Sequence, residues 1–173
     1  MNKKIFSEIM KWGDEEYELE IFEDNDFSKL ENVKQVYGFI FDEKENILVI
    51  RLPMKEGWGL PGGTPEDSDK SWEETLKREI LEEADVEIEE IRPAFYLTSK
   101  CITNKTPLGK EGIMLRAIGK VKKILPQTID PAVGKINERN FIDSKDFLKY
   151  CPWGENGKFQ LSLALKKLKE FKE

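Results

Sequence analysis

Across residues 15–23 (EEYELEIFE), polar and apolar side chains alternate with a period of two. Tyr17, Leu19 and Ile21 fall on one side, which predicts a half-buried strand. Val33 to Phe41 and Asn46 to Leu52 are runs rich in β-branched and aromatic residues. The polar stretch 42–45 (DEKE) between them predicts a hairpin. Four glycines and Pro61 fall between Gly57 and Thr64, so this segment reads as a loop with special backbone conformations. The pattern then changes to a helical period over 71–84. Further strands are expected at 86–99, 112–122 and 136–142, a short helix from Ser144, and a longer amphipathic helix over 157–171 carrying Phe159, Leu161, Leu163, Leu165 and Leu168. Helices interspersed among strands predict an α/β domain of two or three layers.

The helix at 71–84 is the most informative element. Ser71 followed by Glu74 forms a capping box that sets its start. Trp72, Leu76, Ile80 and Ala84 make one apolar stripe for the core. Glu79, Glu82 and Glu83 stand at i, i+3 and i+4, so their carboxylates share a strip beside that stripe and repel one another at neutral pH. A divalent cation would relieve the repulsion, and oxygen-only ligation suits Mg2+ or Mn2+. Arg78 lies four residues from both Glu74 and Glu82 and is placed to steady the latter. The competing reading is a salt-bridge ladder on a solvated helix.

Charge sharpens this picture. The 173 residues carry a net charge of −6, yet residues 66–90 alone hold 12 acidic against 3 basic side chains. The rest of the chain is therefore slightly basic. Such concentration suits a site for hard cations, and the overall negative balance disfavours nucleic acid as a partner. Composition narrows the chemistry further. There is no histidine, which removes Ser-His-Asp and Cys-His catalysis and every histidine-ligated metal site. The two cysteines, Cys101 and Cys151, read as reduced thiols of a cytoplasmic protein rather than a disulfide framework. Hydrophobic residues at 39% supply a core, and no apolar run approaches the roughly 18–20 residues of a membrane span.

Gly62-Gly63-Thr64-Pro65-Glu66, followed by Arg78-Glu79-Ile80-Leu81-Glu82-Glu83-Ala84-Asp85-Val86, resembles the Nudix box, G-x5-E-x7-R-E-U-x-E-E-x-G-U with U aliphatic. Trp58-Gly59-Leu60-Pro61 is similar to the usual lead-in. Two departures stand out. Asp69 occupies the place of the first Glu, with Lys70 as an inserted residue before the arginine, and Asp85 replaces the last Gly. The resemblance implies an α/β fold, a Nudix-type α/β/α sandwich with a mixed β-sheet. It would occupy residues 33–173, with residues 1–32 a β-rich extension of the same domain. It also implies a Mg2+-dependent pyrophosphohydrolase, with Mn2+ a substitute. Such an enzyme cleaves a nucleoside diphosphate linked to another group, a nucleoside triphosphate or other nucleotide derivative, by attack of water on phosphorus. The alternative reading is a catalytically silent nucleotide-binding or interaction module on the same fold.

By the same resemblance Glu79, Glu82 and Glu83 are metal ligands, joined by the Gly62 carbonyl. Arg78 orients the glutamates, and Gly62 and Gly63 border the substrate. The general base varies within the family; Glu83, Glu111 and Glu138 are the candidates here. Arg51, at a strand end before the glycine loop, is a candidate phosphate contact, as are Lys105 and Lys110. Tyr37, Phe39, Trp58, Phe95 and Tyr96 include candidate stacking surfaces for a base, most of them expected in the core. The N-terminal 30 residues and the stretch 151–156 are candidates for shaping specificity or a homodimer interface.

Overall fold

The computed structural model describes residues 3–53, 56–103 and 111–171. Its centre is one mixed sheet whose strands are β1 (Lys4–Trp12), β2 (Glu15–Glu23), β3 (Val33–Phe41), β4 (Ile47–Arg51), β5 (Gly62–Gly63), β6 (Val86–Cys101), β7 (Gly112–Ile124) and β8 (Glu138–Ile142). Across the sheet the order is β1-β2-β6-β7-β3-β4-β8, with β5 on β3. Only β3 and β7 run parallel; the other pairs are antiparallel. Helix α1 (Trp72–Ala84) covers one face, and α2 (Phe147–Tyr150) with α3 (Gly154–Glu170) covers the other.

The period-two pattern of the strands is what feeds two cores. In β3, Val36 and Ile40 pack with α1, whereas Phe39 and Phe41 pack toward α2 and α3. In β4, Leu48 and Ile50 take the α1 side and Ile47 and Val49 the other. Leu76, Ile80 and Ala84 of α1 are fully buried, and each large aliphatic side chain so placed contributes about 1.5–3 kcal/mol. Trp72, at the top of the same stripe, meets Phe27 edge to face at 5.2 Å.

Several boundaries differ from the sequence-based expectations. Within the N-terminal segment expected to be β-rich, the position of β1 is not given by the pattern, because its inward positions are Phe6, Glu8, Met10 and Trp12 while Ile9 points out at 63% exposure. That inversion hides its period. α3 begins at Gly154, not at Gly157. A Cβ on Gly157 would sit 2.7 Å from the Trp153 Cβ, so this glycine marks a close approach inside the helix and not its start. β8 begins at Glu138, and β6 runs on to Cys101, where it pairs with Tyr17 of β2.

The site is placed by a split in the sheet. β3 and β4 pair only at Phe41–Ile47 and then diverge. The glycine loop is wedged into the gap: Gly59 bridges Ile50, the Gly38 amide donates to the Pro61 carbonyl at 3.1 Å, and Gly62 and Gly63 pair with Tyr37 and Val36. Gly62 has φ of +138°, and a Cβ there would lie 2.1 Å from the Val36 carbonyl oxygen, so only glycine fits.

Candidate active site

Helix α1 starts where the capping pattern places it. The Ser71 side chain accepts from the Glu74 amide at 3.3 Å, but the Glu74 carboxylate reaches back to the amide of Lys70, one residue short of the cap. The added residue therefore takes one arm of the box. Asp69 turns its carboxylate to Arg78, which donates from Nε at 3.1 Å and from Nη2 at 2.9 Å. The shorter acid on a longer loop still reaches the arginine as a two-pronged pair. Asp69 also accepts from the Glu66 amide and the Thr75 hydroxyl.

Arg78 binds more than Asp69. Its Nη2 donates to the Thr64 carbonyl at 3.1 Å, while Nη1 stands 3.0 Å from Glu79 Oε1 and 3.4 Å from Glu82 Oε2. One nitrogen thus brings two box glutamates side by side. The third, Glu83, accepts from the Gly62 amide at 2.8 Å. Gly63 provides the room: a Cβ there would lie 2.5 Å from the Glu79 carboxyl carbon. The pairing with Arg78 holds the Asp69 carboxyl far below the usual carboxylate range and raises the guanidinium. Burial pushes the Glu79 carboxyl up, against the pull of Arg78.

The C-terminal end of α1 explains the second departure from the box. Asp85 takes the left-handed conformation, φ 51° and ψ 46°, that the motif's glycine would adopt. Its carboxylate accepts from the amide and hydroxyl of Thr128 at 2.8 and 2.6 Å, tying the 125–130 segment to the helix end. Arg139 donates to the Ala84 and Asp85 carbonyls, and Asn137 to that of Glu83. These bonds satisfy carbonyls that a helix terminus leaves open.

Beside Glu83 and Gly62 opens a cavity of about 310 Å³, lined among others by Tyr37, Trp58, Leu60, Arg116 and Trp153. Of the aromatics considered from sequence, Tyr37 and Trp58 line it, while Phe39, Phe95 and Tyr96 are buried in the cores. Arg51 and Glu138 are not among its lining residues; they form an exposed ion pair with each other, and the Arg51 guanidinium lies 5.5 Å from the Trp58 ring centroid. Glu111 lines a separate cleft and accepts from the Cys101 amide at 2.8 Å. Lys105 and Lys110 lie outside the described residues. Trp153, from the stretch 151–156 singled out as a candidate for specificity, lines the cavity, whereas Arg116 and Glu56 of its wall were not foreseen. The one signal for Arg116 was a lone charge inside the apolar run 112–119 (GIMLRAIG).

The NUDIX domain family model matches residues 31–151, well over half of the chain. The chain belongs to the NUDIX family. With that membership goes an enzyme class, hydrolases of phosphoanhydrides. No curated protein matches the chain by sequence. Among solved structures, the Nudix chain is similar to a mutant of the Bacillus subtilis pyrophosphohydrolase BsRppH, with 15% identity, TM-score 0.65 and coverage of 96% of this chain and 97% of that one. It is similar to an Ap4A hydrolase of C. elegans at 20% identity and TM-score 0.52, covering 82% and 99%. A MutT from a study of Aliivibrio salmonicida and Vibrio cholerae aligns at 17% identity and TM-score 0.50, covering 78% and 98%. At these identities the likeness is one of fold: a mixed sheet between helices, the Nudix sandwich.

Among the described residues of this Nudix protein, no helix is long and apolar enough to cross a membrane. Nor are three acidic or thiol side chains gathered there into a finished metal cage. Arg78 stands between Glu79 and Glu82, and Glu83 leans on Gly62. The donor set still fits a hard cation. It consists of carboxylate oxygens on one helix strip, with the Gly63 backbone leaving the space that a side chain would fill.

Proposed function

We propose that this Nudix protein is a cytoplasmic, Mg2+-dependent pyrophosphohydrolase that cleaves a nucleoside diphosphate linked to a further group, with Mn2+ able to replace Mg2+. The observation that carries this reading is the pairing of Glu79 and Glu82 on a single Arg78 nitrogen, with Glu83 fixed to Gly62 at the wall of an aromatic cavity. The fold neighbours, a pyrophosphohydrolase and an Ap4A hydrolase, point the same way.

Glu79, Glu82 and Glu83, with the Gly62 carbonyl, are the proposed ligands. When bound, the metal supplies positive charge for the phosphate oxygens and acidifies coordinated water. The chain's own residues prepare that step. Bare carboxylates would repel a diphosphate, and Arg78 restrains them by hydrogen bonds to Glu79 and Glu82. Gly62 and Gly63 let substrate approach the backbone, since neither presents a side chain. Tyr37 and Trp58 offer flat apolar surface to a nucleoside. Glu83 is the proposed general base: of the carboxylates weighed for this role, it alone lines the cavity, whereas Glu138 is committed to Arg51 and Glu111 to the Cys101 amide. Arg51, 5.5 Å from the Trp58 ring centroid and held by Glu138, is the proposed contact for the phosphate chain.

The test is release of phosphate, pyrophosphate or nucleoside monophosphate from a panel of nucleoside triphosphates, dinucleoside polyphosphates and nucleotide sugars, in Mg2+, in Mn2+ and in EDTA. Metal-dependent turnover that EDTA stops is expected. Binding of nucleotides without turnover of any of them would overturn the enzymatic reading and leave a binding module.

A further inference from the structure

Arg116 projects from the middle of β7 toward α3 and is 7% exposed. A guanidinium so placed ordinarily sits against a carboxylate, because desolvating an unpaired charge costs several kcal/mol. Its hydrogen-bond partners are neutral instead. Nε donates to Gln160 Oε1 at 3.0 Å, and Nη1 donates to the Leu115 carbonyl at 3.1 Å. The plane lies over the Tyr37 ring, 4.8 Å from its centroid. Burial brings the group down to about 10, so it remains a cation at neutral pH.

The arrangement is held from behind. Gln160 Nε2 donates to Asn156 Oδ1 at 2.8 Å, and Asn156 Nδ2 donates to the Met10 sulfur at 3.4 Å. Each amide in this line donates onward to the next partner, which leaves the Gln160 oxygen for Arg116. A guanidinium has five N–H groups, and two are used. The rest belong to Nη1 and Nη2 of a residue that lines the cavity next to Glu83.

We propose, building on the pyrophosphohydrolase reading, that Arg116 selects the nucleobase by donating to two adjacent acceptors on one edge, as guanine presents at O6 and N7. Adenine places an amino donor beside N7, and an arginine has no acceptor to offer it. A phosphate group is the poorer occupant. Among the described lining residues Arg116 is the one cation, set against the carboxylates of Glu56 and Glu83. The remaining walls, with Tyr37, Trp58 and Trp153, suit a flat neutral ring.

The experiment has two readouts. In EDTA, GMP and AMP are titrated against tryptophan fluorescence, with inorganic pyrophosphate as competitor. In Mg2+, kcat/KM is compared for GTP and ATP. A roughly five- to hundredfold preference for guanine is expected in both. Arg116→Met should shrink it to about twofold or less, and Gln160→Leu, which frees Nε, should reduce it partway. Circular dichroism identifies a variant that fails to fold, and Gln160→Leu then carries the test. Equal affinity for GMP and AMP, or equal loss on both bases in the variants, overturns the proposal. So does displacement of GMP by pyrophosphate that depends on Arg116. Guanine preference in binding without turnover sinks the hydrolase reading alone; turnover indifferent to base sinks this one alone.

Discussion

Arg78 and Arg116 are both largely withdrawn from water, yet their surroundings are opposite. Arg78 stands among Asp69, Glu79, Glu82 and Glu66, all within 3.6 Å. Arg116 faces an amide oxygen, a backbone carbonyl and a tyrosine ring. An arginine ringed by acids has its charge consumed in place and serves as an organiser. One held by neutral groups keeps charge and donors for a visitor. The two lie on opposite faces of the sheet, Arg78 on α1 and Arg116 toward α3, and the gap between β3 and β4 joins them.

The contrast can be broken most forcefully from the Arg78 side. Glu82→Gln and Glu83→Gln should each lower metal-dependent turnover roughly a hundredfold or more with circular dichroism unchanged; a variant that keeps most activity would remove its glutamate from the ligand set. Next in size is stability. Arg78→Met strands Asp69 and Glu79 as partly buried acids and should cost about 2–4 kcal/mol in urea unfolding. Arg116→Met strands no carboxylate: it relieves the desolvation of an unpaired cation but takes a donor from the Gln160 oxygen and the Leu115 carbonyl, and as these opposing terms offset, its change should stay within about 1 kcal/mol. Equal losses would erase the distinction.

Acid titration gives a smaller effect. Arg78 depresses the Asp69 carboxyl in the folded state, so the pair's contribution is full above the unfolded value near pH 4 and is lost as pH falls toward the folded one. Asp69→Asn should therefore flatten the stability profile below about pH 4 by roughly 1–3 kcal/mol, measured by urea midpoints at stepped pH. An unchanged acid slope would dissociate Asp69 from the network. Smallest of all, the exposed Arg51–Glu138 pair should show a coupling below about 1 kcal/mol in a double-mutant cycle, fading with salt.

Much of this was legible in the sequence because the strands feeding both cores keep a strict period of two and α1 keeps its apolar stripe. The box glutamates and Arg78 could be placed from spacing alone, since one helix fixes their relation. What stayed hidden depends on contacts between distant elements. Met10, Arg116, Asn156 and Gln160 come from three elements, and no local spacing announces that they meet. Asn156 and Gln160, buried at i and i+4 on α3, read locally as polar interruptions of an amphipathic face. The position of β1 stayed hidden because Glu8 turns in and Ile9 turns out.

The hydrogen-bonded line from Arg116 ends on β1 and α3, both beyond the span 31–151 that carries the family pattern. The box glutamates and the side chains that brace Arg116 from behind are thereby carried by separate stretches of the chain. Substitutions in the terminal segments can retune what the chamber accepts while the box helix stays untouched, and a chain trimmed to the shared span would keep its glutamates but lose the scaffold that aims its second arginine.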